Sequence, residues 1–245
     1  MKNEPLREYL AFQFNSALQN SPKISYCADI EYLHKFRVAI RRSRSLLKLF
    51  QPNAYAFNAI LKELAQKTNE LRELDVFLDS LDPIAYPKLS KKIRKYRKKR
   101  FVEICNDTFN QTTIKKLRQL HDEIQVLSLP NKKKELIEST EKFYSEGLRA
   151  FHDLHKDTSN EALHELRIKF KTSRYALEFL HRCNLRNKRK DIEECKQIQD
   201  HLGEVQDTAN QIDWLEHFCE SNPCKECRQL IKERKAYLNL LKKYM

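Results

Sequence analysis

Two eighteen-residue stretches carry clustered arginine, lysine and histidine: LHKFRVAIRRSRSLLKLF from Leu33 to Phe50, and LHELRIKFKTSRYALEFL from Leu163 to Leu180. Each has a histidine, an arginine three residues on, and further cations among apolar residues. At 100° per residue, His34, Arg37, Arg41, Arg44 and Lys48 fall within an arc of about 80° on one helix face. Leu33, Phe36, Ile40 and Leu47 form the adjoining apolar face. The second copy repeats this with His164, Arg167, Lys171 and Arg174 beside Leu163, Leu166, Phe170 and Leu177, and Glu178 stands where Lys48 stood. A merely solvated helix face would mix lysines with glutamates at i,i+4 spacing. An unbroken run of cations repels itself and costs stability unless an anion or buried carboxylates compensate it. The preference for arginine favours phosphate, which a guanidinium fork binds through two hydrogen bonds. The chemistry these residues suit is therefore polyanion binding.

The elements that must position them are helical. The chain of 245 residues has only two glycines and seven prolines, too little punctuation for sheets and tight turns. Hydrophobic residues at 40% and charged residues at 33% exclude a disordered tail and fit an amphipathic bundle. Periodicity predicts helices over roughly 4–20, 30–50, 54–81, 87–106 and 111–126, then 132–155, 160–183, 187–219 and 223–243. Ser21-Pro22, Gln51-Pro52, Asp82-Pro83, Leu129-Pro130 and Asn222-Pro223 punctuate them. Asn222 before Pro223 reads as a cap followed by a first-turn proline, and Thr158 with Glu161 has capping-box spacing. Beyond the two phrases, Asn69-Glu-Leu-Arg-Glu73 aligns with Gly203-Glu-Val-Gln-Asp207, and Lys62 falls on Lys196. Duplication of a roughly four-helix unit explains both alignments.

The net charge of +13 calls for an anionic partner without choosing among nucleic acid, an anionic membrane surface and a polyphosphorylated molecule. No segment approaches membrane-spanning length, and the N-terminal stretch lacks the apolar run of a signal peptide. Seven cysteines without regular spacing read as reduced thiols, and a cytoplasmic protein is expected.

The paired phrases resemble the two histidine signatures of the CHAD domain family, the conserved-histidine α-helical domains. His34-Lys-Phe-Arg37-Val38 with Arg41, Arg42 and Arg44 is similar to the first signature. His164-Glu-Leu-Arg167-Ile168 with Lys169, Lys171, Arg174, Tyr175 and Glu178 is similar to the second. Leu202-Gly203 with Asp207 resembles the family's Leu-Gly-x-x-x-Asp element, and Arg72-Glu73-Leu74-Asp75-Val76 its Arg-Asp-Leu-Asp-Val element. In the first half Thr68 and Asn69 replace the leucine and glycine. The resemblance implies an all-α fold of two pseudo-symmetric four-helix bundle units, packed as one compact domain around a basic central groove or pore. That single domain spans 4–245, as repeats of roughly 4–127 and 131–245. It implies inorganic polyphosphate as ligand, bound without catalysis and without a cofactor by His34, Arg37, Arg41, Arg42, Arg44, Lys48, His164, Arg167, Lys169, Lys171, Arg174 and Tyr175. It also implies association with polyphosphate granules in some organisms and the company of polyphosphate-metabolising enzymes.

Secondary candidates follow. Lys88 to Arg100 holds nine cations in thirteen residues, and there Arg94 and Arg97 share a face; they and the duplicated Lys62 and Lys196 are second-rank ligands. Glu73, Asp75 and Asp207 read as structural acids paired with cations. His217, Cys219, Cys224 and Cys227 form the one metal-like cluster, but a Cys-x-x-Cys without a second pair reads as ordinary thiols. A nucleic-acid binder is the alternative, although few aromatics interrupt the stripe to stack on bases. A histidine phosphotransfer protein is the less favoured enzymatic reading, because no glycine opens access beside either histidine.

Overall fold

The computed structural model describes residues 4–26, 30–155 and 158–243. Within them lie ten helices and no strand: α1 (Pro5–Tyr26), α2 (Ile30–Phe50), α3 (Tyr55–Gln66), α4 (Asn69–Ser80), α5 (Pro87–Ile104), α6 (Asp107–Glu123), α7 (Lys133–His152), α8 (Asn160–Arg182), α9 (Arg189–Ser221) and α10 (Lys225–Lys243). The fold is all-α. No helix among the described residues is long and apolar enough to cross a membrane.

The boundaries depart from expectation where packing overrides local punctuation. α1 runs through Pro22 instead of stopping at residue 20. Proline there forfeits one backbone hydrogen bond, but Phe14, Ala17 and Ile24 continue a fully buried stripe on both sides of it. The single helix expected over 54–81 is broken between α3 and α4, at Lys67 and Thr68, where Thr68 is wholly buried. α6 starts at Asp107, not residue 111, because the Asn106 side chain caps it by accepting the Phe109 amide N–H at 2.9 Å. Ser159, not Thr158, caps α8 through the Ala162 amide, while Thr158 Oγ1 accepts from the His155 amide. Asn222 closes α9 rather than opening α10, its amide donating back to the Phe218 carbonyl. The first half thus contributes six helices and the second four.

The core is built around α2 and α8, which pack on each other. α2 buries Leu33, Phe36, Ile40, Leu46 and Leu47 against α1 and α3. α8 is buried on two sides. Leu163, Leu166, Phe170 and Leu177 pack toward α7 and α9, whereas Ala176, Phe179 and Leu180 join the core of the first half. Phe179 meets Tyr9 and Phe50 edge-on, with ring centroids 5.3 and 5.9 Å away. A separate apolar cluster joins α4 and α5 to α9 and α10 through Phe77, Ile93, Leu215 and Leu230. Cys219 at the end of α9 is disulfide-bonded to Cys227 in α10, so these two cysteines are not the reduced thiols expected.

Candidate anion-binding cavity

The stripe of α2 and that of α8 are brought to one place because the two helices pack side by side. Between them and the neighbouring α4 and α9 lies a cavity of about 290 Å³. Its cations are Arg41 from α2, Arg72 from α4, and Arg167 and Lys171 from α8. Glu73, Asp207, Gln199, Asn210 and Gln211 add polar groups, and Val76, Phe77 and Trp214 form an apolar flank.

Charge in this cavity is only partly compensated. Arg167 Nη2 donates to Asp207 Oδ1 at 2.9 Å, but Arg41, Arg72 and Lys171 have no hydrogen-bond acceptor among the described residues. Burial and the neighbouring Arg167 and Arg41 guanidinium groups push the Lys171 ammonium down to about 8. Glu73 moves upward, chiefly through desolvation; Arg37 opposes the shift, and Glu70 and Asp207 add to it. His34 lies beside the same field, lowered by burial and by Arg72 and Arg41, with Glu31 opposing. The Nε atoms of Arg37, Arg41, Arg42, Arg44, Arg167 and Arg174 are all buried without a hydrogen-bond partner. The cluster is thus a set of desolvated donors with too few acceptors, which an anion would supply.

The remaining stripe residues divide by partner. Arg37 is turned inward and 7% exposed. Its Nη1 donates to the Ala65 carbonyl at 2.7 Å and to Thr68 Oγ1 at 2.6 Å, and Nη2 donates to Asn69 Oδ1 at 2.8 Å. The guanidinium thereby fills the break between α3 and α4. Burial, Arg41 and Arg72 push it down to about 10. In the second half Arg167 meets unbroken α9 instead, and a β-carbon placed on Gly203 would lie 3.4 Å from its Nε. Thr68 and Asn69, which depart from the family pattern, give Arg37 two of its three acceptors.

Arg42 and Arg174 converge on Glu178, at 2.7 and 3.7 Å, and both lie over the Tyr175 ring. Glu178 therefore ties α2 to α8, and Tyr175 is buried at 4% exposure. Lys169 points toward α7, with its Nζ 3.2 Å from Glu146 and over the Phe143 ring. Arg44 and Lys48 continue along α2, where exposed Lys62 helps, after burial and Arg44, to lower Lys48. Lys196 and His164 are exposed on α9 and α8. Arg94 Nε donates to Ser90 Oγ at 3.3 Å, and Arg97 grips buried Asp75 with two bonds of 2.9 and 3.3 Å. His217 Nδ1 lies against its own helix's Asp213 carbonyl at 2.7 Å.

Sequence reasoning did not select Arg72, Gln199, Asn210 or Gln211. Arg72 stood inside a motif already noted, but the duplication pairs it with Gln206, so repetition carried no signal there. Gln199 and Asn210 lie about three turns apart on one face of α9 with Gln211 beside them, polar positions readable only once α9 is known to face α8.

A search of curated proteins finds no match. Among solved structures, the crystal structure of the CHAD domain from the plant Ricinus communis superimposes with a TM-score of 0.74 at 19% identity. That match covers 97% of this chain and 85% of the plant chain. The CHAD domain profile matches residues 8–216, most of the chain and both histidine-bearing helices, and the protein therefore belongs to the CHAD domain family.

Proposed function

We propose that the cavity between α2, α4, α8 and α9 binds inorganic polyphosphate and holds it without chemical change. The observation that carries this reading is the convergence of Arg41, Arg72, Arg167 and Lys171 from three helices on one cavity, with an acceptor among the described residues for only one of them. Polyphosphate offers dense negative charge and no bases, so charge-assisted hydrogen bonds suffice to hold it. Each contributes about 1.5–3 kcal/mol. Arg44, Lys48 and Lys62 extend the cationic path along α2 and α3. Arg37 and Arg42 serve as its frame, since their guanidinium groups are engaged in joining helices, with Arg174 and Tyr175 packed beside Arg42 and Glu178. His34, kept toward its neutral form in the empty cavity by desolvation and by arginine neighbours, gains a proton beside bound phosphate and donates a hydrogen bond to it rather than accepting a phosphoryl group. The duplicated stripes support two pseudo-symmetric halves that share one ligand. We place the protein in the cytoplasm, at polyphosphate granules and near polyphosphate-metabolising enzymes, on the strength of the family alone.

The test is a titration of the full chain with long polyphosphate, single-stranded RNA and duplex DNA at matched phosphate concentration and salt. Polyphosphate is expected to bind most tightly, with affinity falling steeply as salt rises, because neutralising a polyanion releases its condensed ions. Preference for either nucleic acid would replace the reading with that of a nucleic-acid binder.

A further inference from the structure

The turn between α9 and α10 gathers three sulfur atoms that the anion cavity does not use. Cys227 is buried at 1% exposure and disulfide-bonded to Cys219, and Cys224 Sγ lies 3.1 Å from Cys227 Sγ. Cys224 immediately precedes α10, and its sulfur accepts the Cys227 amide N–H at 3.3 Å. We propose that Cys219, Cys224 and Cys227 form a thiol–disulfide exchange site in which Cys227 changes partner between Cys219 and Cys224.

The step balances within the chain. The Cys224 thiolate attacks Cys227 Sγ, and the new sulfur–sulfur bond forms as the bond to Cys219 breaks. The electron pair leaves on Cys219, which takes back through solvent the proton that Cys224 gave up. No oxidant or reductant is consumed. The Cys227 N–H meets the charge that sits on Cys224 whenever that bond is made or broken, as amides at helix N-termini do in reactive thiol motifs.

Among the described residues, three observations point the exchange to this trio. Cys105, Cys183 and Cys195 are separate thiols whose burial pushes them up to about 12, 11 and 12, which leaves them inert at neutral pH. Buried Cys227 is the shared sulfur, whereas Cys219 and Cys224 are half-buried and within reach of small thiols. The two loops are also close in closure entropy: separations of 8 and 3 residues differ by about fourfold on chain statistics, so neither pairing overwhelms the other.

The exchange changes what the bond connects. In the Cys219–Cys227 state the last turn of α9 is tied to the first turn of α10. In the Cys224–Cys227 state the bond is local to the start of α10, and only packing holds the two helices. The trio also adjoins the cavity's apolar flank, because Trp214 lines the cavity and stacks on Phe218 with centroids 4.8 Å apart. Thiol chemistry at the turn is therefore one residue from a ring that supports the cavity wall.

Disulfide mapping tests this directly. The full chain is equilibrated with reduced and oxidised glutathione, acid-quenched, alkylated, and cut after Lys225, Glu220 and Glu226, which places the three cysteines on separate peptides. Cys219–Cys227 and Cys224–Cys227 cross-links are both expected, in amounts within about tenfold of each other. Cys219→Ser should form Cys224–Cys227, and Cys224→Ser should hold Cys219–Cys227 alone. A single pairing at every glutathione ratio would overturn the proposal. So would Cys219→Ser with Cys224 and Cys227 both alkylated, or a stoichiometric metal ion holding all three as thiolates. The wild-type map stands on its own should either variant fail to fold.

Discussion

Arg37 and Arg41 occupy one helix face a single turn apart, and replacing each with alanine is expected to damage different properties. Arg37→Ala removes a buried guanidinium with three hydrogen bonds, two of them to the interior groups Ala65 O and Thr68 Oγ1. The bond to Asn69, an exposed residue, is replaced by water, and Thr68 Oγ1 still donates to Ala65 O at 3.2 Å. Two charged, buried bonds at about 1.5–3 kcal/mol each give a loss of about 3–6 kcal/mol, or a Tm lower by about 10–20 °C. Arg37→Lys should recover little, since one ammonium cannot span the three acceptors on both sides of the break. Arg41→Ala removes no hydrogen bond and relieves repulsion on Lys171, so stability should change by less than about 1 kcal/mol. It takes one phosphate ligand from the cavity, which at about 1.5–3 kcal/mol weakens polyphosphate about 10- to 150-fold. Urea unfolding and calorimetric titration of both variants measure the two quantities. Equal destabilisation by the two substitutions, or full-strength binding by Arg41→Ala, would refute this division of roles.

Lys171 and His34 set the pH dependence. Lys171 sits near 8 when folded, well below its unfolded value, so the unfolded chain holds more protons between the two and the empty protein gains stability as pH rises from about 8. Bound polyphosphate restores the charge, so affinity should fall by up to about tenfold per pH unit above 8, and Lys171→Arg should flatten that slope. His34 is lowered, so the stability it contributes is present above about 6.5 and is lost as pH falls below that value. Affinity should rise over the same acid range, and His34→Gln should abolish that share of the rise. Replacing Arg167, Lys171 and Arg174 with alanine should weaken long polyphosphate far more than short chains. An equal loss of charge at exposed Lys132, Lys133 and Lys134 should change either little, and equal effects would leave only bulk charge. Gly203→Ala meets Arg167 at ordinary contact distance inside an unbroken helix; it should raise stability by about 0.5–1 kcal/mol, and a loss of stability in urea unfolding would contradict that placement.

Features that depend on local periodicity were legible from the residues alone. Few glycines and a 3.6-residue repeat made the chain helical, and the spacing of Arg41, Arg167 and Lys171 put each beside an apolar face that had to be buried. Repetition identified α2 and α8 as the helices that matter, and the acids Asp75 and Asp207 could be read as partners for cations. Tertiary structure alone decided which cation faces what. Arg37 and Arg41 differ by about 40° around α2. That small rotation separates a guanidinium filling a helix break from one lining a cavity, and the break lies between two other helices, α3 and α4. Arg72 reaches the cavity through the packing of α4, and Lys169 leaves it for Glu146 on α7. A helix's own period sets the direction in which a side chain leaves its axis. What it meets there is set by residues distant in sequence, and the hydrogen bonds and desolvation that follow decide whether its charge is spent or free.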